Sequence, residues 1–222
     1  PTSGVTGLAV GANVFRWTIN NGACSNPIST DDVVITVFNN GAASANAGAD
    51  QSVCSTNPNA TLAGSAVTTP ATGTWSLVSG SGTIASPNTA TTSVSNMGVG
   101  QNVFQWNVNN GACGNTNDQV SVFVFDANNP VANAGPDQSK CTPNTTATMA
   151  GSNVIFPATG NWTLQSGAGT ITNASSPTTT ITGLAVGANT FRWTVNNGPC
   201  GGTTFDEVTI FIFNAAAPVA NA

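Results

Sequence analysis

Eight carboxylates and five thiols make up nearly all the reactive chemistry of this 222-residue chain, which has three basic residues and no histidine or tyrosine. The usual general bases near neutral pH are therefore missing, and the many serine and threonine hydroxyls have no activating partner. The expectation is a protein without catalytic activity. The carboxylates recur: Asp50 and Asp137 stand before one β-prone run, and Asp31/Asp32, Asp118 and Asp206/Glu207 before another. Calcium needs several oxygen ligands, and Asp50, Asp118, Asp137, Asp206 and Glu207, with nearby asparagines and carbonyls, are the candidates to supply them. The spacing of a calcium loop is absent, and the competing reading is that these side chains are solvated or cap turns. No other cofactor is expected.

The thiols fall at Cys24, Cys54, Cys113, Cys141 and Cys200. With no CxxC pair and no histidine, a zinc site is not expected. A regular pattern of cysteines reads instead as disulfides, which place the chain outside the cytoplasm. Two connectivities compete. Cys54 with Cys113 and Cys141 with Cys200 gives separations of 59 and 59 residues, whereas Cys24 with Cys54 and Cys113 with Cys141 gives 30 and 28. Equal separations favour the first pairing, because a folded module fixes its internal spacing while a linker varies. Cys24 is then left to bond a residue outside the segment.

These residues sit in a repeat. GANVFRWTINNGAC at residues 11–24 returns as GQNVFQWNVNNGAC at 100–113 and GANTFRWTVNNGPC at 187–200. Trp17, Trp106 and Trp193 are 89 and 87 residues apart, a period that suits one small β domain. Four segments follow: the C-terminal half of a truncated module at 1–41, complete modules at 42–127 and 128–215, and a linker opening another module at 216–222. The reading is an excerpt from a longer array. Within the first complete module, runs near 50–53, 60–64, 74–78, 82–85, 91–95, 102–108 and 119–125 read as seven strands of an all-β sandwich, separated by turn residues.

Alternation along these strands assigns the faces. Phe15 and Trp17, Phe104 and Trp106, and Phe191 and Trp193 point to the core, while Arg16, Gln105 and Arg192 between them need water. Trp75 and Leu77, with Trp162 and Leu164, supply the opposing sheet. Such alternation belongs to a core and not to a row of exposed aromatics for stacking sugars. The last strand departs from it: beside inward Ile35, Val122 and Ile210 it carries Phe38, Phe125 and Phe213 next to the linkers. These three are assigned to module junctions or to assembly with another chain.

Composition closes off other partners. A net charge of −5 without a basic patch gives nothing to neutralise phosphates, so neither nucleic acid nor an anionic lipid surface is expected. No apolar run is long enough to span a membrane. Asn59, Asn144, Asn161 and Asn173 match the N-glycan acceptor pattern, as chance allows in so Asn- and Thr-rich a chain.

PVANAGPDQ at 130–138, its degenerate copy ASANAGADQ at 43–51, GTWSLVSGSGTI at 73–84, GNWTLQSGAGTI at 160–171 and TGLAVGANTFRWTVNNGPC at 182–200 resemble PKD-like, immunoglobulin-type modules. They are similar to tandem repeats in very large surface proteins of Bacteroidota, including gliding-motility adhesins exported by the type IX system. The acidic WDFGDG-like motif of many PKD modules is reduced here to Trp and Gly, and no tyrosine stands before Phe15, Phe104 or Phe191. The resemblance implies tandem immunoglobulin-like sandwiches in an extracellular, cell-surface protein. The expected role is a structural repeat of a long adhesin or surface filament, acting as a disulfide-stabilised stalk. Its partners are neighbouring repeats, other copies in a filament, and surface polysaccharide or substratum reached through other parts of the protein. The alternatives are a repeated glycan-binding module and an accessory stalk in a secreted enzyme.

Overall fold

A computed structural model of the chain describes residues 2–24, 27–41, 44–129 and 131–216. Residues 42, 43 and 130, at the predicted module starts, and all but residue 216 of the predicted terminal linker lie outside the described residues. The described chain is built of β-strands, joined by turns and two short 3-10 turns at Gly111–Cys113 and Gly198–Cys200. Two strands come first, β1 (Gly11–Asn20) and β2 (Ile28–Val37). Seven follow: β3 (Gln51–Cys54), β4 (Ala60–Ala63), β5 (Thr72–Ser79), β6 (Thr83–Ile84), β7 (Thr91–Ser95), β8 (Gly100–Asn109) and β9 (Asn115–Phe125). Seven more repeat them: β10 (Gln138–Cys141), β11 (Ala147–Thr148), β12 (Thr159–Ser166), β13 (Thr170–Ile171), β14 (Thr180–Thr182), β15 (Gly187–Asn196) and β16 (Thr203–Phe213). Each of the seven strands read from turn spacing in the first complete repeat is present.

Each set of seven makes a four-stranded and a three-stranded sheet, ordered β3-β9-β8-β5 with β4-β7-β6, and β10-β16-β15-β12 with β11-β14-β13. The short first strand lies parallel to the last, β3 along β9 and β10 along β16. The neighbours β12 and β15, β15 and β16, and β5 and β8 are antiparallel. By proximity the chain divides into two compact units, one of Pro1–Asp50, Ala60–Ser95 and Val103–Ser121, the other of Gln51–Asn59, Asn96–Asn102 and Val122–Ala222.

The core follows from period-2 alternation in the ten-residue strands. In β15, Asn189, Phe191, Trp193 and Val195 are buried. They meet Val208, Ile210 and Ile212 of β16, Trp162 of β12, and Ala147, Met149, Ile181 and Leu184 from the other layer, in one cluster. In the first unit Phe104, Trp106, Trp75, Leu62 and Val94 are likewise buried. Trp75 and Trp106 stack at 5.1 Å and 42°, and Trp162 and Trp193 at 5.1 Å and 40°, tilted pairs of the kind aromatic quadrupoles favour. The indoles need room: a Cβ added at Gly73 would clash with the Trp106 ring, and one at Gly160 with the Trp193 ring.

Several residues placed inward by the strand pattern are not buried, among them Ile35, which is only half-buried. Trp17 is 53% exposed and Phe15 only half-buried, because β1 and β2 form a two-stranded sheet on which no second layer lies among the described residues. Leu77 and its counterpart Leu164 are also exposed, at 41% and 40%. They sit on outer strands where the register shifts, opposite layers whose strands β6 and β13 are two residues long.

Gly160→Ala is expected to lower stability by about 1–3 kcal/mol through overpacking against Trp193. Gly4→Ala, with open space around the Cβ position and no positive φ, serves as the neutral control. Urea unfolding of both variants reads the difference as a shift in midpoint.

Candidate functional site

The recurring carboxylates are spent on backbone N–H groups. Asp118 accepts the N–H of Ala47 at 2.8 Å, and Asp50 that of Ser121 at 2.8 Å, so the segment entering β3 and the strand β9 hold each other reciprocally. The second unit repeats the clasp: Asp206 accepts from Ala134 and Asp137 from Thr209, both at 2.8 Å. Thr116 and Thr204 extend it by accepting the N–H groups of Ala45 and Ala132. The Ala-Asn-Ala-Gly-x-Asp-Gln motif is thus a polar clasp, with Asn46 and Asn133 accepting the N–H of Gly48 and Gly135, whose φ values are +85° and +81°. Glu207, the remaining calcium candidate, instead pairs with Arg192 at 2.6 Å, and that guanidinium also lies 4.1 Å over the Phe205 ring. The exposed counterpart Arg16 pairs with Asp32, which holds the Asp32 carboxyl below its ordinary range and the guanidinium above its own. Among the described residues no three His, Cys, Asp or Glu side chains converge to hold a metal ion.

A second polar device was missed by the sequence reading, although its signal is the Gly-x-Asn opening each copy of the long repeat. Asn189 is wholly buried and donates to the carbonyls of Ala185, Gly187 and Ile210, while its Oδ1 accepts the N–H of Ala168. Asn102 and Asn13 donate to the equivalent carbonyls. The glycine two residues before each Asn has φ of +111°, +108° and +102°, which a side chain rarely adopts and which turns the loop back onto the amide.

The covalent chemistry differs from both expected connectivities. Cys54 bonds Cys200, 146 residues away, with Cα atoms 4.9 Å apart, while Cys24, Cys113 and Cys141 are free and exposed. The intramodule pairs Cys54–Cys113 and Cys141–Cys200 are ruled out by strand length. Cys141 lies in register with Phe213, the last residue of β16, and Cys200 precedes its first residue, Thr203. Ten strand steps of about 3.3 Å separate those ends by about 33 Å, against the ~4.4–6.8 Å a disulfide allows between Cα atoms. Likewise Cys54 is in register with Phe125, the far end of β9 from the turn that carries Cys113. Cysteine thus closes the end of one repeat onto the hairpin turn of the following one.

Around that bond the ends meet in a fixed pattern. The Phe125 ring lies where Gly198 has no side chain, 2.8 Å from the position of a Cβ. Asn197 donates to the Asp126 carbonyl at 2.9 Å, and the Cys200 sulfur lies 3.0 Å from the Phe125 carbonyl oxygen. In the first unit the Phe38 ring covers Gly111, Asn110 donates to the Asn39 carbonyl at 2.8 Å, and the Cys113 sulfur lies 3.8 Å from the Phe38 oxygen. Phe38 and Phe125 are half-buried by these contacts, while Phe213 is 55% exposed, stacked on Phe211. What the arrangement does chemically is join backbone ends.

Residues 47–124 match the family model described as "K319L-like, PKD domain". That stretch runs from the clasp before β3 to the penultimate residue of β9, one whole two-layer sandwich, and β10–β16 repeat its sheet order. Among solved structures, the PKD domain from KIAA 1837 protein is 26% identical over 40% of this chain and 92% of that one, with a TM-score of 0.34. The PKD domain from human KIAA0319 is 18% identical over 41% and 87%, also at 0.34. Dpr2 Ig1-Ig2 in complex with DIP-Theta Ig1-Ig3 is 14% identical over 91% and 73%, at 0.47. No curated protein matches the chain. The fold is all-β, of PKD-like, immunoglobulin-like sandwiches, and a disulfide fits an oxidising, extracytoplasmic setting. Among the described residues no helix is long and apolar enough to cross a membrane.

Two measurements test the site. Alkylation of the unreduced protein followed by peptide mapping is expected to label Cys24, Cys113 and Cys141 and to recover one crosslinked peptide joining Cys54 to Cys200. Asp206→Ala, which strands the Ala134 N–H, is expected to cost about 1–3 kcal/mol, whereas Glu207→Ala removes an exposed ion pair worth about 0–1 kcal/mol; denaturant midpoints give both values.

Proposed function

We propose that the chain is a structural segment of an extracellular surface protein, a run of sandwiches that carries tension between other parts of the molecule and takes no part in catalysis. The observation behind this reading is the bond from Cys54 to Cys200. A disulfide inside one domain stabilises that domain; one that joins the first strand of a repeat to the hairpin turn of the next stabilises the connection between repeats. The Phe-on-Gly contact and the amide hydrogen bond from Asn197 to the Asp126 carbonyl serve the same connection without charge, so salt screens them little. An adhesin or surface filament, whose distal part must be held away from the cell, needs such connections repeated along its length. The domain organisation that goes with this role is a partial module at 1–41 and complete ones at 42–127 and 128–215, with ligands bound by other parts of the protein.

Pulling the chain by its ends in a force spectrometer tests the reading. With the bond intact, the 146-residue span between Cys54 and Cys200 is shielded from extension. Cys54→Ser is expected to release it, adding roughly 500 Å of contour at about 3.5 Å per residue. Equal contour lengths for the two proteins would overturn the tension-bearing role.

A further inference from the structure

Asn-Asn-Gly occurs four times, at residues 20–22, 39–41, 109–111 and 196–198. Asparagine before glycine is a pair at which a chain can modify itself. The glycine nitrogen, with no side chain beside it to hinder the approach, attacks Cγ of the asparagine and expels the amide nitrogen. In all four copies the glycine N–H donates to Oδ1 of the first asparagine, at 2.8–2.9 Å. So local a turn also forms in a short peptide, and it sets no copy apart from the others.

Two copies carry a further restraint. The Asn197 amide donates to the Asp126 carbonyl at 2.9 Å and the Asn110 amide to the Asn39 carbonyl at 2.8 Å, so each leaving nitrogen is held by a carbonyl just past β9 or β2. The backbones match, with φ −103° and ψ 28° at Asn197 and φ −104° and ψ 31° at Asn110. Their own N–H groups are bonded too, to the carbonyls of Gly202 at 2.7 Å and Gly114 at 3.0 Å. Asn197 is only 9% exposed, and in both residues Oδ1 is closed off from solvent with no donor to it among the described residues. That oxygen takes up the negative charge when the tetrahedral adduct forms, and a buried oxygen without a donor is where such charge is least stable. The Phe125 ring covers Gly198 and the Phe38 ring Gly111, each over the glycine that would have to swing onto Cγ.

We propose that Asn197 and Asn110 are latent self-modification sites, kept intact by the seated junction and converted to aspartate or isoaspartate once it opens. In the open state hydroxide takes the Gly198 N–H proton and the nitrogen bonds to Asn197 Cγ. The Cγ–Nδ2 bond breaks, and ammonia leaves with a proton from water, giving a cyclic imide. Water then adds to one of the two imide carbonyls and opens the ring to aspartate or isoaspartate. No oxidant or reductant takes part. Either product places a carboxylate where an amide donor faced the Asp126 carbonyl, and isoaspartate also lengthens the backbone by a carbon. Oxygen then confronts oxygen, so conversion makes the opening one-way. The chemistry is the same whatever opens the junction, so the inference stands apart from the tension-bearing reading.

The test follows Asn-to-Asp conversion by mass spectrometry at mildly alkaline pH, in the 222-residue chain and in a free peptide of residues 193–199 as the unguarded reference. In the oxidised chain Asn197 and Asn110 are expected to convert at least about ten-fold more slowly than the peptide, since a group that reacts only from an opened state is slowed by how rarely that state is populated. Cys54→Ser combined with Phe125→Ala should bring Asn197 to the peptide's rate and leave Asn110 slow, and Phe38→Ala should do the reverse. Peptide-like rates in the oxidised chain, or Asn197 still slow in the double variant, would overturn the proposal. So would acceleration of both sites together in either variant, which assigns the protection to the fold as a whole. The one-way consequence is read from Asn197→Asp, expected to shift the Cys54–Cys200 bond toward free thiols by about ten-fold in a glutathione redox buffer; an unchanged equilibrium would overturn it. None of these results alters the contour difference in the pulling experiment, and equal contour lengths there leave these rates untouched.

Discussion

An indole lying over a glycine is the contact on which each sandwich depends. Trp106 over Gly73 and Trp193 over Gly160 bring two strands close enough for the second tryptophan, Trp75 or Trp162, to stack on the first. The paired rings fill the space between layers that strands of two to five residues, such as β4, β6, β7, β11, β13 and β14, cannot fill with side chains of their own. A module of this size has few residues to spend on a core, and large aromatics bury the most area for the fewest positions. The glycines are the necessary complement, since close packing tolerates no extra carbon there.

With the core settled by apolar residues, the ends must be held by something other than ion pairs. Three basic residues cannot make a network. Backbone groups are satisfied instead by the buried amides of Asn102 and Asn189 and by carboxylates that accept N–H groups at part-buried and exposed positions. Asp50 and Asp118 illustrate the economy: each fixes the segment that carries the other. This division of labour explains why the acidic residues recur at constant places in each repeat.

The strands and their buried faces were legible because they rest on local order. Alternation fixes Phe191, Trp193 and Val195 on one face, and turn residues mark where each strand stops. The failures share a physical cause. Trp17 carries the same local pattern as Trp193, but burial depends on a second layer that its neighbours in sequence cannot supply. The disulfide was misread for a related reason: equal spacing of cysteines reports that the repeat recurs, and it says nothing about which strand end each cysteine occupies. Once the parallel pairing of β3 with β9 is known, Cys54 must stand at the Phe125 end, and the 59-residue pairing fails on distance alone. The buried Asn189 was visible as an invariant position within the three copies, yet its role needs the carbonyl of Ile210, a strand away.

The three copies of one stretch also act as internal controls on one another. Residues 187–200 sit on a two-layer sandwich with the Phe125 ring over Gly198 and a bonded Cys200; residues 100–113 sit on a two-layer sandwich with the Phe38 ring over Gly111 and a free thiol; residues 11–24 lie, among the described residues, on a two-stranded sheet. Sequence is nearly constant across the three, so the differences in burial and bonding come from what stands next to each copy. Stability in such a chain is therefore held jointly by neighbouring repeats, as a sum of what each folds alone and what each junction adds. The junction term here combines an aromatic plug, one amide hydrogen bond and, where both thiols are present, a covalent link.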